Sequence, residues 1–134
     1  MTNLKSLKTK PVKIYNDTIL TYEQLDVYSE RLASYLNLKT KRNSTPIIIY
    51  GHKKNEMLIG FLACIKSGNT YIPVDKNLPE KRLEEIVKNS NAKILINTEE
   101  DVFNFDNLIE IKSDKLSEIF EDATLENNAK NILK

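Results

Sequence analysis

The sequence predicts an α/β fold with a mainly parallel, open sheet and helices on both of its faces. Two observations lead to this prediction. Short apolar runs rich in β-branched residues alternate with segments of helical periodicity along the chain. The run at 46–50 contains no charged position, which is typical of a strand buried on both faces of a parallel sheet. A strand–helix alternation of this kind implies right-handed crossover connections.

Composition limits the class of protein. A chain of 134 residues fits one domain, and 29% charged with 40% hydrophobic residues fits a folded one. The net charge of +1 gives no electrostatic case for nucleic acid or an anionic membrane. Cys64 is the only cysteine, which excludes an internal disulfide and favours a reducing compartment. No signal peptide or membrane-length apolar run is recognisable, so we predict a cytoplasmic protein.

The first elements are a hairpin and a long helix. Two apolar runs at 12–15 and 18–20 flank the pair Asn16-Asp17, which predicts two strands joined by a tight turn. Thr21 then opens a helix, because Gln24 three residues later completes a capping box. The buried face of this helix is predicted from residues at helical spacing, namely Leu25, Tyr28, Leu32, Tyr35 and Leu36.

The rest of the chain continues the alternation. Residues 39–45 are predicted to form a polar, basic loop, and 56–67 a second helix that is apolar nearly all round and therefore deeply buried. Pro79 suits the first turn of a third helix. Two more strands and a short last helix are expected at 93–97, 108–111 and around Leu116, Ile119 and Phe120. We predict an α/β unit over 1–120 and a polar, solvated tail over 121–134.

The segment that leaves the strand at 46–50 is the first place to look for a ligand. Open parallel sheets bind ligands beyond the carboxyl ends of their strands. Gly51 permits a tight turn there, and His52 and Lys53 could offer a proton donor and a cation near a helix N-terminus. The alternative is that His52 forms hydrogen bonds within its loop and the lysines are solvated, since a single histidine without acid or nucleophile partners is weak evidence.

Other candidates carry weaker signals. Asp75 follows a strand, and it is either a catalytic carboxylate or a turn residue that accepts hydrogen bonds from nearby backbone. Cys64 has no nearby base and is expected to be a small buried hydrophobe. Arg82 could reach a phosphate or pair with a surface carboxylate. One His and one Cys make no metal-ligand set, and no phosphate-cradling spacing is formed by the glycines, which are Gly51, Gly60 and Gly68.

Three ordered motifs resemble those of the adenylate-forming, AMP-binding enzymes. L-T-Y-E-Q-L at 20–25 is similar to their first core motif, L-T-Y-x-E-L, with Gln24 in the acidic place. I-K-S-G-N-T-Y-I-P-V-D at 65–75 resembles the second, K-A-G-x-x-Y-V-P-V-D, with Ser67 where Ala is usual. L-P-E-K-R-L at 78–83 is similar to the helix start P-x-x-R-I that follows it. The resemblance is good over 14–98 and looser elsewhere.

One branch of that family is the most similar. Tyr50, Gly51 and His52, followed by a short loop and an apolar helix, resemble the D-alanine–D-alanyl carrier protein ligases. The amino-acid-activating domains of nonribosomal peptide synthetases come next. The resemblance implies a part of the large N-terminal domain of these enzymes. In them a carboxylate attacks the α-phosphate of Mg-ATP, releasing pyrophosphate, and a carrier-protein thiol then displaces AMP from the acyl-adenylate. D-alanine loaded in this way ends on lipoteichoic acid.

The same resemblance implies that groups essential to the chemistry lie elsewhere. The ATP-binding loop, the substrate pocket and the catalytic lysine of the family all lie downstream of the matching region. We therefore assign no catalytic, cofactor-binding or metal-binding residue, and expect the chain to bind no ATP or Mg²⁺ and to be inactive alone. We expect it to self-associate and to pair with the remainder of the ligase. The alternatives are a split-chain or truncated module that binds a partner chain or a carrier protein, and an unrelated small α/β domain.

Overall fold

The computed structural model describes residues 11–15, 18–41 and 43–126. Strands and helices alternate along most of this length, as predicted. In chain order the elements are β1 (Pro11–Tyr15), β2 (Thr18–Thr21), α1 (Tyr22–Thr40), β3 (Ile47–Gly51), α2 (Asn55–Ser67), β4 (Tyr71–Asp75), α3 (Glu80–Ser90), β5 (Ile94–Asn97), β6 (Ile109–Ile111) and α4 (Ser113–Glu121), followed by a 3₁₀ helix, Ala123–Leu125. None of the described helices has both the length and the apolar content that crossing a bilayer requires.

The main sheet has four strands in the order β4-β3-β5-β6, and every pairing is parallel. Consecutive strands of this sheet are joined through α2, α3 or the long segment before β6. The order has two end strands, so the sheet is open. The predicted fold class is confirmed. Strands β1 and β2 pair antiparallel as a separate two-stranded sheet. The predicted turn at Asn16-Asp17 lies outside the described residues.

Each face of the sheet carries its own core, because successive strand residues point to opposite faces. One face packs against α1, α2 and α4 through alternate strand residues such as Ile47, Ile49 and Ile111. The other packs against α3 through Ile48 and Leu95. Helices therefore cover both faces, as the uniformly apolar strands indicated.

Helix α1 begins at the predicted capping box. Gln24 N donates to Thr21 Oγ1 at 3.1 Å, and Thr21 N donates to Gln24 Oε1 at 3.0 Å. The predicted loop at 39–45 was wrong in its first two residues, since α1 runs through Thr40. The helix ends at Lys41, whose left-handed backbone (φ 55°) lets its N–H reach the Asn37 carbonyl oxygen. A lysine takes this cap instead of a glycine, so the sequence gives no end signal there.

Helix α2 is less buried than its composition suggests. It begins at Asn55, one residue before the predicted start, and packs against α1 and the sheet. Met57, Ile59, Ala63 and Cys64 are buried, but Ile65 is 60% exposed, so the predicted deep burial does not extend to that side of the helix. A helix that contacts one layer of helices and one sheet keeps an outer stripe, whatever its side chains are. Gly68 closes the helix at φ 75°, a left-handed backbone that glycine adopts without a Cβ penalty.

The segment after α4 is more ordered than a solvated tail. Glu121 is the last residue of α4, and Leu125 is 8% exposed. Arg31 of α1 holds this segment, because its Nη2 lies 2.8 Å from Glu126 Oε1 and its Nη1 donates to the Phe120 carbonyl oxygen. Residues 127–134 lie outside the described part of the chain, and the division between 120 and 121 stays a prediction.

Candidate functional site

The carboxyl ends of three neighbouring strands bring polar side chains together at one edge of the sheet. Gly51 ends β3 opposite Asp75 of β4, and Asn97 ends β5 opposite Tyr50. The residues that follow these strands include His52 and Glu99, so the predicted crevice residue lies beside side chains that come from distant parts of the chain. Open parallel sheets place ligand sites at this edge.

His52 has an acidic partner that the sequence did not reveal. Its Nδ1 lies 2.9 Å from Oδ2 of Asp75, 23 positions further along the chain. The other carboxylate oxygen of Asp75 accepts the backbone N–H of Asn77 at 2.8 Å, which confirms the turn interpretation. This backbone hydrogen bond, and then the bond from His52, lower the pKa of Asp75 below its ordinary value. Both side chains are reachable by solvent, with exposed fractions of 36% and 53%.

Lys53 faces a small cleft next to that pair. Its backbone is left-handed at φ 50°, and the side chain is exposed. The cleft has a volume of about 320 Å³ and is lined by residues of α2, β4 and the loop between β3 and α2, among them the apolar Met57 and Phe61 and the charged Lys53 and Asp75. Of the two predicted residues on this loop, His52 contacts Asp75 and Lys53 lines the cleft.

Glu99 is the ionic centre of this edge, although its sequence context does not mark it as a site residue. It is 7% exposed. Its Oε2 accepts the backbone N–H of His52 at 3.1 Å. Its Oε1 lies 3.4 Å from Lys54 Nζ and 3.5 Å from Lys76 Nζ. The only signal in the sequence is a carboxylate placed two residues after an apolar strand, a pattern too common to identify a buried hub.

Tyr50 and Asp101 form a second polar contact at the same edge. The Tyr50 hydroxyl donates to Asp101 Oδ2 at 3.0 Å, and its ring meets Phe103 edge-on at 4.9 Å between centroids. Burial, followed by the hydrogen bond with Asp101, raises the pKa of Tyr50 above its ordinary value. The phenol therefore acts as a fixed donor and not as an acid at neutral pH.

Gly51 is needed for close approach and not for its backbone angle. A Cβ built on Gly51 would lie 2.0 Å from Thr98 Oγ1, well inside any real contact. Thr98 Oγ1 in turn donates to the Tyr50 carbonyl oxygen at 2.9 Å. The predicted role in a tight turn is replaced by a packing role, because the residue is the last of β3 and lies directly against the β5 loop.

Two weaker candidates behave as structural residues. Cys64 is fully buried, and that burial raises the pKa of its thiol to about 12, so it is not a nucleophile. Arg82 pairs with Glu85 at 2.9 Å on the exposed side of α3. Within the described residues, no group of three His, Cys, Asp or Glu side chains could hold a metal ion.

The groups at this edge are largely occupied by one another. The two oxygens of Asp75 accept from His52 and Asn77, and those of Glu99 meet a backbone N–H and two lysines. At this edge the carboxylate oxygens of Asp75 and Glu99 are therefore engaged, whereas Mg²⁺ needs free oxygen ligands. The sequence also has no glycine spacing typical of a phosphate-binding loop. The arrangement can fix three loops relative to one another, and it leaves His52 and Lys53 accessible.

Comparison with known proteins identifies relatives for almost the whole chain. Residues 3–132 match the family described as AMP-binding enzyme. The D-alanine–D-alanyl carrier protein ligase of Bacillus anthracis is 37% identical over 107 residues, which are 80% of this chain and 21% of that protein. The ligase of the same name from Bacillus cereus is 39% identical over 108 residues, with the same two shares. The chain thus spans about a fifth of the length of the curated relatives it matches.

Solved structures show the same fold. Klebsiella oxytoca NpsA in complex with 3-hydroxyanthranilyl-AMSN matches with a TM-score of 0.73 and 20% identity, over 92% of this chain and 25% of that one. The N-terminal subdomain of the same protein matches with a TM-score of 0.72 and 22% identity, over 85% of this chain and 30% of that one. These structures support the fold assignment, and the curated relatives support the resemblance found in the motifs.

Proposed function

Because this chain belongs to the family of AMP-binding enzymes, we propose that it is the N-terminal part of an ATP-dependent ligase that activates D-alanine and transfers it to a carrier protein. The observation that carries this proposal is the 37% identity with the Bacillus anthracis D-alanine–D-alanyl carrier protein ligase, at a share of 80% of this chain. The Tyr50-Gly51-His52 loop adds to it. A cytoplasmic location and ATP with Mg²⁺ as cofactors of the complete enzyme are part of the same proposal.

The contribution of this chain to the ligase is a scaffold. The carboxylate oxygens of Asp75 and Glu99 form hydrogen bonds and ion pairs that hold the loops after β3, β4 and β5 together. Charge stabilisation at a phosphoryl or acyl centre needs donors that converge on the reacting atoms, and these are expected in the remainder of the enzyme. The chain alone is therefore inactive, and it requires that remainder as its partner.

The test is D-alanine-dependent exchange of pyrophosphate into ATP. The chain alone should give no exchange. A hybrid that joins it to the remainder of the Bacillus cereus ligase, in place of that enzyme's own N-terminal part, should restore exchange with D-alanine. The remainder without any N-terminal part is the control and should be inactive. Exchange by the isolated chain would contradict the proposal, and so would a folded hybrid that activates only a different amino acid.

A binding module is the second candidate, in which the chain pairs with a partner chain or a carrier protein without taking part in catalysis. It is favoured by an apolar patch on the surface of α2 and β4. Phe61 stacks on Tyr71 at 4.8 Å between ring centroids, and Tyr71 is still 38% exposed. Ile65 lies one helical turn after Phe61 on the same side of α2. Stoichiometric binding of a carrier protein by the isolated chain, together with an inactive hybrid, would establish the module instead.

A further inference from the structure

We propose that a cavity at the carboxyl edge of the sheet binds a small quaternary ammonium cation. The cavity has a volume of about 190 Å³ and lies where the loop after β4, the first turn of α3 and the segment before β6 meet the end of β3. This volume is below the roughly 300–1,000 Å³ of pockets for drug-sized ligands, so the ligand is small. The inference does not depend on the proposed function, because it assigns neither D-alanine nor ATP to the cavity.

Two aromatic rings form a corner of this cavity. Tyr50 and Phe103 both line it, and their planes meet at 89° with 4.9 Å between the ring centroids. In a corner between two perpendicular rings, a cation can lie against the face of each ring, where the π electrons carry partial negative charge. Phe105 stacks on Phe103 at 5.6 Å, and the Tyr50 hydroxyl donates to Asp101 Oδ2 at 3.0 Å. Both rings therefore have further contacts that hold them in place.

The charged residues of the cavity wall favour a cation. Glu80 and Asp101 line it, and neither carboxylate forms an ion pair with any of the described residues. Lys76 is the only cation among the described residues of the wall, and its Nζ lies 3.5 Å from Glu99 Oε1. Because Glu99 offsets part of the charge of Lys76, the two carboxylates leave the wall negative.

The titration of Tyr50 is consistent with a negative potential in this cavity. Burial raises the pKa of its hydroxyl most, followed by the hydrogen bond with Asp101. The charges of Asp101, Glu99 and Asp75 raise this pKa further. Nearby carboxylates that disfavour the phenolate anion favour a positive charge at the same place, because both effects follow from the same electrostatic potential.

The apolar part of the wall selects among cations. Leu78, Leu83 and Val102 line the cavity together with the two rings. A primary ammonium group has three N–H donors that each need an acceptor, whereas one carboxylate oxygen of Asp101 already accepts from Tyr50. A quaternary ammonium group carries alkyl groups in place of these donors. It can therefore contact aliphatic side chains and ring faces while the carboxylates attract its charge.

The test is a titration of the isotope-labelled chain with choline, followed by two-dimensional NMR. Choline should give saturable shifts of the Val102 and Phe103 amide signals, with a Kd on the order of 1 mM. The neutral analogue, in which a tert-butyl group replaces the trimethylammonium group, should bind at least about fivefold more weakly. Ethanolamine, the corresponding primary amine, should bind at least about threefold more weakly than choline. Added salt should weaken the binding of choline and not that of the neutral analogue.

Variants of the wall separate the effect of charge from that of shape. Asp101→Asn removes the charge but keeps an acceptor for the Tyr50 hydroxyl, and should weaken choline binding about threefold to fivefold. Phe103→Leu keeps an apolar side chain without a ring and should have an effect of about the same size. Glu100→Gln is the matched control, since it changes the net charge equally at a residue outside the cavity wall, and should stay within about 1.5-fold. Thermal melts verify that each variant is folded, and Asp101→Asn decides alone if Phe103→Leu is not.

Several outcomes would overturn the inference. Equal affinities for choline and its neutral analogue would mean that the cavity recognises shape and not charge. Tighter binding of ethanolamine would assign the cavity to primary amines instead. The absence of saturable shifts with choline, or shifts confined to residues far from the cavity, would reject the site. If the chain does not stay folded by itself, the same titration is carried out on the hybrid with the Bacillus cereus remainder, whose pyrophosphate exchange tests the proposed function separately.

Discussion

The Nδ1 atom of His52 lies 2.9 Å from Oδ2 of Asp75, and this contact joins the loops that follow two neighbouring parallel strands. Each residue had been considered separately as a site candidate. Together they form an acid–imidazole pair that solvent can reach. Asp75 of this pair and Lys53 both line the neighbouring cleft.

The Asp75 contact predicts a dependence of stability on pH. The fold lowers the pKa of this carboxyl below its ordinary value of 3.8, so the folded chain binds the proton more weakly than the unfolded one. Its stabilising effect is complete above that value and is lost as the pH falls through the lower, folded value. Asp75→Asn should be less stable than the natural chain at pH 7, and the difference in denaturant midpoint should shrink below pH 3.8. A constant difference across this range would exclude the linkage.

Removing the buried carboxylate of Glu99 is predicted to lower the free energy of unfolding more than breaking an exposed ion pair does. Glu99→Ala leaves the N–H of His52 and the ammonium groups of Lys54 and Lys76 without their shared acceptor. We expect a loss of about 1–3 kcal/mol in the free energy of unfolding, measured by urea titration. Glu85→Ala, which breaks the exposed pair with Arg82, is the control and should cost about 0.5 kcal/mol or less. Equal costs for the two variants would show that Glu99 is not a hub.

Thr98 lies so close to Gly51 that a side chain at position 51 is predicted to overpack the structure. In Gly51→Ala the new methyl group meets Thr98 Oγ1, which should destabilise the fold by about 1–3 kcal/mol. Gly60→Ala is the control, because its Cβ would meet only the Ile49 side chain, with Cδ1 nearest at 3.2 Å, and alanine favours a helix. Chemical denaturation should separate the two variants. A Gly51→Ala chain as stable as Gly60→Ala would disprove the packing role of the glycine.

Replacing threonine by alanine is predicted to destabilise the chain at the first end of α1, where the capping box lies, and not at its last residue. Thr21→Ala removes the acceptor for Gln24 N and should destabilise by about 1 kcal/mol. Thr40→Ala is the same substitution at the last residue of α1, where the buried hydroxyl has no hydrogen-bond partner among the described residues. That variant should be neutral or slightly stabilising, as judged by the midpoint of a urea melt. An unchanged midpoint for Thr21→Ala would reject the cap.

Nucleotide binding by the chain alone is predicted to be absent. The carboxylate oxygens of Asp75 and Glu99 are engaged, and the sequence has no glycine spacing typical of a phosphate-binding loop. Calorimetric titration of the chain with Mg-ATP should give no heat above dilution, whereas the active hybrid should give a saturable signal. A stoichiometric complex with the isolated chain would direct attention to His52 and Lys53, the predicted ligand contacts at this edge.

Local patterns were sufficient for the elements of the fold. Three signals depend only on neighbouring residues and can therefore be recognised in the sequence. They are the capping box at Thr21, the continuous apolar run of β3 and the glycine at position 68. The end of α1 was misplaced for the same reason. Lys41 adopts a left-handed backbone without being a glycine, and nothing local announces it.

The sequence by itself determined the fold class, the family and the position of the loop that carries His52 and Lys53, because periodicity and ordered motifs are local properties. Only the tertiary structure decided what surrounds that loop. The partners of His52 and Tyr50, the burial of Glu99 and the steric need for Gly51 each depend on residues more than 20 positions away. The direction of the backbone groups of β4 was decided in the same way. Pro73 is visible in the sequence, but only the register of β4 against β3 shows that its missing donor faces outward, because in a strand alternate positions point to opposite sides.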